Sequence, residues 1–352
     1  MISQKQKQVI ALFAVFGGAA AILGLAYSYR QTNTPATAVD FIMDTVVEQK
    51  LYGAKAKEAT AEISARLQAF EQSFSMHLPE SEITKLNQAA GKEAVKLSDD
   101  VYTLLSRSKE LSLLSEGAFD VTIAPLSNVW GVTSESPSVP EEAELLAAQE
   151  LVNINDLILG ENNSAMLARE GQAVDLGGIA KGSACQIIFD VAEEYGISTG
   201  YVSIGGNMVV LEKKPLGRDL QFGVRDPAGD SSQAICALTL YGKTMATTGG
   251  YERYFEEDGV RYHHVLDPQT GWPADSDLLS VTVISEDGTL ADYLSTTLFV
   301  LGKETVLNCL DRTDFQVIAV GDDHRVYCST TLEGELIPMS DGNYTFIYGE
   351  EA

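Results

Sequence analysis

Apolar residues first crowd together along this chain and then space themselves out. From Val9 to Tyr27 the run VIALFAVFGGAAAILGLAY carries no charge, and it is long enough to cross hydrocarbon as a helix. Residues 31–40 (QTNTPATAVD) are small and polar and read as a tether, so the folded body is expected from Phe41 onward, over residues 41–352. Within it, Ala54–Phe70 and Asp99–Leu114 place their apolar residues at helical intervals, with Ser98 as N-cap of the second. The segment 133–142 (TSESPSVPEE) reads as an exposed loop, and Pro140–Glu142 as the opening of another helix. A further helix starts near Gly177, runs through IIFDVAEEY and stops at Gly196; another spans Thr289–Leu301 and ends at Gly302. Strand-like runs are Tyr201–Ile204, Val209–Leu211, Phe222–Arg225, Ala234–Tyr241, Leu279–Ile284 and Phe315–Val320. Helices and strands mix without strict βαβ alternation, which predicts an α+β body rather than a doubly wound sheet.

Charge narrows the classes of partner. The formal net charge of the 352 residues is −26, and residues 1–30 hold Lys5, Lys7 and Arg30 with no acid, so the body is more acidic still. Nucleic-acid binding, which neutralises phosphates with Lys and Arg, is not expected. Lys5 and Lys7 before the apolar run place residues 31–352 outside the cytoplasm by the positive-inside rule. An uncleaved transmembrane anchor within residues 1–30 is the expectation; the alternative is a cleaved signal peptide, whose apolar core is usually shorter. Cys185, Cys236, Cys309 and Cys328 form no CxxC pair and sit in apolar surroundings. They read as buried free thiols, with one disulfide open in an oxidising compartment and no zinc cluster.

Neither GxGxxG nor GxxxxGK[ST] occurs, so the usual nucleotide cradles are missing. Four other stretches carry chemistry. In SEGAFDVTIAPLSNVWG (115–131), Gly117 suggests a turn that presents Ala118, Phe119 and Asp120, then a strand and Pro125; small residues beside an aromatic admit a flat ring. In AVDLGGIAKG (173–182), an apolar strand is expected to end at Asp175, and Gly177-Gly178 to open a helix with Lys181 in its first turn. A helix N-terminus offers N–H groups and a favourable field to phosphate. In ATTGGYERYFEEDGVRYHHVLDPQTGWP (246–273), turns at Thr247-Thr248-Gly249, Glu257-Asp258-Gly259 and DPQTGWP enclose two adjacent histidines. On a strand they face opposite sides, so one of them can serve as a general base in a pocket. In ADYLSTTLF (291–299), Asp292 and Thr296 share one helix face with Ser295 on its edge, hard oxygen donors that suit Mg²⁺.

Taken together and in this order, these stretches resemble the ApbE family, the FAD:protein FMN transferases. The likeness covers roughly residues 41–330 and rests on FSMHLPESEITKLN, EGAFDVTIAPLSNVWG, DLGGIAKG, VSIGGN, ATTGGYERYF, RYHHVLDPQTGWP and LLSVTVIS…ADYLSTTLFVLG. It implies an ApbE-like (T-fold-like) bilobal α+β domain, here after a transmembrane helix, with FAD in a cleft and Mg²⁺ at its pyrophosphate. By position, the resemblance implies flavin contacts at Met43, His77, Ala118, Phe119, Asp120, Asp175, Lys181 and Leu266. It implies metal ligands at the Gly178 main-chain oxygen, Asp292 and Thr296, with Ser295 a weaker candidate. His264 matches a family histidine to which activation of the acceptor hydroxyl is ascribed, and Asp292 is expected to be catalytic as well as a metal ligand; an imidazole near its ordinary pKa could take that proton at neutral pH. His77 stands where the family often has tyrosine, and His263 where it often has serine. The implied reaction splits FAD, attaches FMN to a Ser or Thr of an extracytoplasmic acceptor protein by a phosphoester bond, and releases AMP. An FAD pyrophosphatase and a non-catalytic FAD-storage protein are the alternatives.

Overall fold

The computed structural model describes residues 34–212, 217, 219–230, 233–339 and 342–349. The expected span Val9–Tyr27 lies outside the described residues. Among the described residues no helix is long and apolar enough to cross a membrane.

The described chain opens with a tight hairpin. Strands β1 (Ala36–Ile42) and β2 (Thr45–Tyr52) pair antiparallel with Ile42 opposite Thr45. Only Met43 and Asp44 join them, both at positive φ (57° and 54°), a type I′ pattern that normally selects Asn or Gly. The tether is therefore shorter than the sequence suggests, because residues 36–40 belong to an edge strand. Their inward positions are only half-buried until Ile42, so the apolar alternation that marks a strand is too faint to read. Helix α1 (Ala56–Phe74) follows and buries Ala59, Ile63 and Leu67, four residues apart on one face.

A helical lobe comes next: α2 (Glu82–Gln88), β3 (Val95–Lys96), α3 (Asp99–Leu114), α4 (Ala124–Trp130), α5 (Glu142–Gln149), β4 (Leu157–Leu159) and β5 (Ser164–Leu167). Ser81 and Ser98 cap α2 and α3 by accepting from the backbone N–H of Thr84 and Val101, each replacing a hydrogen bond the helix lacks. Two expected strands are missing here. After Asp120 and before Asp175 the chain makes a single parallel bridge, Ile123 with Ala173, and α4 starts at once with Pro125 in its first turn. Proline suits that position because its missing N–H would have had no helical partner.

The remaining elements build the main sheet. They are α6 (Ala180–Tyr195), β6 (Thr199–Ile204), β7 (Asn207–Val210), β8 (Gln221–Arg225), β9 (Ala234–Thr239) and β10 (Lys243–Gly249). Then come β11 (Tyr254–Glu257), β12 (Val260–His263), β13 (Leu278–Ser285), α7 (Gly288–Leu301), α8 (Lys303–Leu307), β14 (Gln316–Gly321), β15 (Arg325–Cys328), β16 (Ile337–Pro338) and β17 (Thr345–Tyr348). Nine strands order as β1-β2-β6-β7-β10-β13-β14-β15-β17, antiparallel throughout except for β15 with β17. Val202 and Val209 turn one face toward α1 and α6, and Val281 and Val283 turn it toward α7. Val210, Met245, Ile284 and Ile318 meet the smaller β8-β9-β16 sheet on the opposite face. Thr247-Thr248-Gly249, expected as a turn, instead ends β10, with Thr248 opposite Val281. All four cysteines are free, three of them buried.

Candidate active site

A cleft of about 340 Å³ opens between the helical lobe and the main sheet. Met43, His77, Ala118, Phe119, Asp120, Asp175, Gly178, Lys181, His264, Leu266, Asp292 and Thr296 all line it. Residues scattered over two hundred and fifty positions of sequence thus share one cavity. Ser295 does not line it: this side chain is fully buried.

The aromatic part of the cleft is built from a loop that saturates its own polar groups. Glu116 and Gly117 adopt positive φ (53° and 93°), which turns the chain out of α3. The Ser115 hydroxyl then accepts from Phe119 N–H at 3.0 Å. Asp120 is spent on the same loop, one oxygen accepting from Thr122 N–H and Oγ1–H at 2.7 Å each and the other from Ile154 N–H at 3.0 Å. Burial pushes its carboxyl above the usual range, against those hydrogen bonds. Phe119 meets Tyr293 edge-on with ring centroids 5.1 Å apart, a favoured aromatic geometry. Leu266 from the sheet side is buried and pairs with Pro273 in a bridge.

The polar end lies where α6 and α7 meet. Asp175 accepts from Gly177 N–H at 2.8 Å and from the Ser127 hydroxyl at 3.3 Å, fixing the turn before α6. Lys181 reaches back to donate to the Gly177 carbonyl at 2.9 Å. Asp292, 3% exposed, accepts from Gly182 N–H at 2.8 Å through Oδ2. That contact requires close helices: a Cβ on Gly182 would overlap the Gly288 carbonyl oxygen and come within 2.5 Å of Asp292 Cβ. Thr248 Oγ1 lies 2.8 Å from Ser295 Oγ and 3.2 Å from Thr296 Oγ1. Ser295 donates to the Asp292 carbonyl at 2.9 Å, so Thr248 must donate to Ser295. That leaves Thr296 to face the cleft, while Ser295 braces the helix.

The oxygen set has a definite chemical character. One carboxylate, one hydroxyl and the nearby Gly178 backbone suit a hard cation such as Mg²⁺. A Cβ on Gly178 would lie 3.5 Å from Thr296 Oγ1, which places that backbone beside the hydroxyl. Among the described residues no group of three or more His, Cys, Asp or Glu side chains is positioned to hold a metal. An ion here would therefore depend on one charge and neutral oxygens.

The two histidines separate, though not by strand alternation as expected: β12 ends at His263, and His264 lies in the bend that follows. His263 lies outside the cleft lining, half-buried and edge-on to Phe299 at 5.6 Å, and burial lowers its pKa. His264 lines the cleft, where its Nδ1 lies 3.2 Å from the Arg253 carbonyl oxygen. A carbonyl only accepts, so Nδ1 carries the proton and Nε2 keeps a free lone pair. The imidazole does not sit at its ordinary pKa. Solvent reaches it from the open side, yet the protein walls push it down to about 4, desolvation first and the charges of Lys181 and Arg253 adding to it.

Arg253 and Glu71 also line the cleft and were missed by sequence reasoning. Arg253 stood inside ATTGGYERYF, but nothing in a single loop arginine shows what it faces. Thr248 was visible in sequence only as a turn residue.

Fold and site together define an α+β protein with a cleft between the helical lobe and the main sheet, walled by apolar and aromatic side chains on one side and by oxygen donors and a lysine on the other. A model of the ApbE family matches residues 43–319, and the chain belongs to that family. A Klebsiella pneumoniae protein named FAD:protein FMN transferase is 33% identical over 278 residues, covering 78% of this chain and 86% of the relative. A Vibrio cholerae protein of the same name is 31% identical, covering 80% and 85%. Among solved structures, the ApbE protein of Thermotoga maritima aligns with a TM-score of 0.80 at 32% identity, covering 86% of this chain and 99% of that one. The flavin transferase ApbE from Vibrio cholerae aligns with a TM-score of 0.76 at 28% identity, with the same coverage.

Proposed function

We propose that this chain is an FAD:protein FMN transferase that splits FAD, passes FMN to a Ser or Thr hydroxyl of an acceptor protein and releases AMP. The observation that carries this reading is the meeting, in one cleft, of a ring slot, an oxygen-donor set at a helix start and a histidine with a free Nε2. Met43, His77, Ala118, Phe119 and Leu266 would bound the flavin ring. Asp175 and Lys181 would lie toward the phosphates, where Lys181 supplies positive charge beside the N-terminus of α6.

Gly178 O, Asp292 and Thr296 would hold Mg²⁺, which when bound supplies charge neutralisation for the pyrophosphate and departing AMP. His264 Nε2 would take the acceptor hydroxyl proton as the new O–P bond forms and the bond to AMP breaks. Its Nδ1–H stays on the Arg253 carbonyl, so the ring keeps the required tautomer through the step. The acceptor is a second flavoprotein; the acidic surface supports no role for nucleic acid.

The location is proposed from sequence. Val9–Tyr27 would anchor the chain in the membrane with the catalytic domain on the extracytoplasmic side, as Lys5 and Lys7 direct. Fractionation tests this: a mature protein beginning near residue 30 and released freely would identify a signal peptide instead.

The reaction is tested by incubating the protein with FAD, Mg²⁺ and a Ser/Thr-bearing acceptor, then measuring intact mass and released AMP. The reading requires an FMN-sized mass gain on the acceptor that chelation abolishes. AMP and free FMN without any acceptor adduct would identify a pyrophosphatase, and FAD bound intact would identify a storage protein.

A further inference from the structure

The Met43–Asp44 turn stands out against the rest of the cleft. A methionine at φ 57° is uncommon, and the two-residue hairpin that pairs Ile42 with Thr45 requires it. Two side chains from distant elements fix where this turn sits in the cleft. Glu71 on α1 accepts from Met43 N–H at 3.0 Å. Arg253, in the segment after β10, donates to the Asp44 carbonyl at 2.6 Å and pairs with the Asp44 carboxylate at 3.1 Å.

Arg253 has a second attachment. Its own carbonyl oxygen accepts from His264 N–H at 3.1 Å and lies 3.2 Å from His264 Nδ1. One residue therefore grips the turn with its side chain and the histidine with its backbone.

We propose that Arg253 is a positioning residue: it holds the Met43–Asp44 turn against the flavin side of the cleft and, through its carbonyl, keeps that turn in register with His264. This inference rests on the FAD reading above. It differs from a direct phosphate contact, for which Arg253 would have to leave Asp44. In the direct-contact case Asp44 competes with the substrate; here Asp44 assists it.

The two cases give opposite results for one substitution. FAD affinity is read from quenching of flavin fluorescence in the full-length protein with Mg²⁺, and KM and kcat from AMP release. Arg253→Gln should raise KM for FAD about tenfold, equivalent to roughly 1.4 kcal/mol, and change kcat much less. Arg253→Lys should recover part of the loss, since lysine lacks the fork that reaches two acceptors. Asp44→Asn should weaken FAD binding about threefold, and the double variant should be no worse than Arg253→Gln alone, as coupled partners require. Asp44 is well exposed, so its substitution does not threaten the fold. Tighter FAD binding by Asp44→Asn, or additive losses in the double variant, would overturn the proposal. Unchanged binding by Arg253→Gln would overturn it too. Failure of the unaltered protein to bind FAD would instead count against the proposed function.

Discussion

The two walls of the cleft are held by different means. Where α6 and α7 meet, position is fixed in the core: Asp292 is buried, bonded to a backbone N–H, and set by two glycines that let the helices touch. Opposite, the Met43–Asp44 turn has positive φ and rests on side chains that water also reaches, with Asp44 66% exposed at its side chain. Exposed ion pairs contribute little stability, typically about 0–1 kcal/mol, whereas a packed core tolerates little displacement. On the proposed reading, the anion-binding wall is thus the rigid one and the flavin-side wall the adjustable one. Such a division suits a site that must hold phosphate geometry strictly while admitting and releasing a large ring.

The strongest way to break the rigid wall is to remove its charge without disturbing its packing. Asp292→Asn keeps an oxygen that can accept from Gly182 N–H but loses the only carboxylate of the oxygen set. Mg²⁺-dependent AMP release should fall below detection while the melting temperature changes little, since the amide oxygen keeps the acceptor for Gly182 N–H. Thr296→Ala should lose less, because a neutral hydroxyl binds a hard cation more weakly than a carboxylate. AMP release by Asp292→Asn that is undiminished at low Mg²⁺ would remove Asp292 from the metal site.

This rigid wall was also the more legible one. Asp292 and Thr296, four apart on a helix, announce a shared face, and DLGGIAKG announces a helix start; both follow from local periodicity. The helix Asp99–Leu114 was placed to the residue with its Ser98 cap, whereas the shorter serine-capped helix Glu82–Gln88 was not expected. The adjustable wall left no such trace. The β1 strand lacks strong alternation, Met43 is an atypical turn residue, and Arg253 acts across a sequence gap of 209 residues. The strands expected around Asp120 and Asp175 failed because apolar runs there are buried as loop, stabilised by side-chain hydrogen bonds that periodicity does not encode. Ser295 shares a helix edge with Thr296, yet only the fold shows that its hydroxyl is committed to Asp292 and Thr248.

The histidine pair tests the adjustable wall at its catalytic end. His264→Ala should slow transfer by about 10²–10⁴-fold, the usual contribution of a positioned base, with FAD binding little changed. His263→Ala should be milder on transfer, because that ring packs on Phe299 away from the cleft. Its effect should appear in thermal stability instead. Equal losses of transfer rate, or a worse loss for His263→Ala, would reverse the assignment of the base.

Overpacking the helix contact should give a smaller effect, on the rigid wall only. Gly182→Ala places a Cβ against the Gly288 carbonyl and Asp292 Cβ, both of them poorly able to yield. A cost of about 1–3 kcal/mol in stability is expected from such crowding, together with a higher Mg²⁺ requirement for AMP release. Because the added Cβ crowds Asp292 and not the Met43–Asp44 turn, Gly182→Ala should leave FAD binding without Mg²⁺ almost intact. Equal damage to both would mean that the two walls are not separately held.

The mildest prediction concerns pH. In the fold the His264 imidazole is pushed down to about 4, while an unfolded chain binds that proton near about 6.5. Between those values the unfolded state holds more protons, so stability from this group is whole above about 6.5 and is lost as pH falls toward the folded value. His263 acts in the same direction. Asp120, held above its usual range by burial, acts oppositely and offsets part of the loss as acid neutralises it. The parent should therefore melt at progressively lower temperature as pH drops from about 6.5 toward 4, and His264→Gln should show a shallower decline. The open side of the ring keeps some hydration, so the acid limb of the transfer rate should fall between about 4 and 6.5, below that of an ordinary imidazole. A bound pyrophosphate, being anionic, favours the protonated ring and should draw the limb of kcat above that of kcat/KM. A transfer rate that already fails above pH 6.5, with the same profile in His264→Gln, would place the titrating group elsewhere in the cleft.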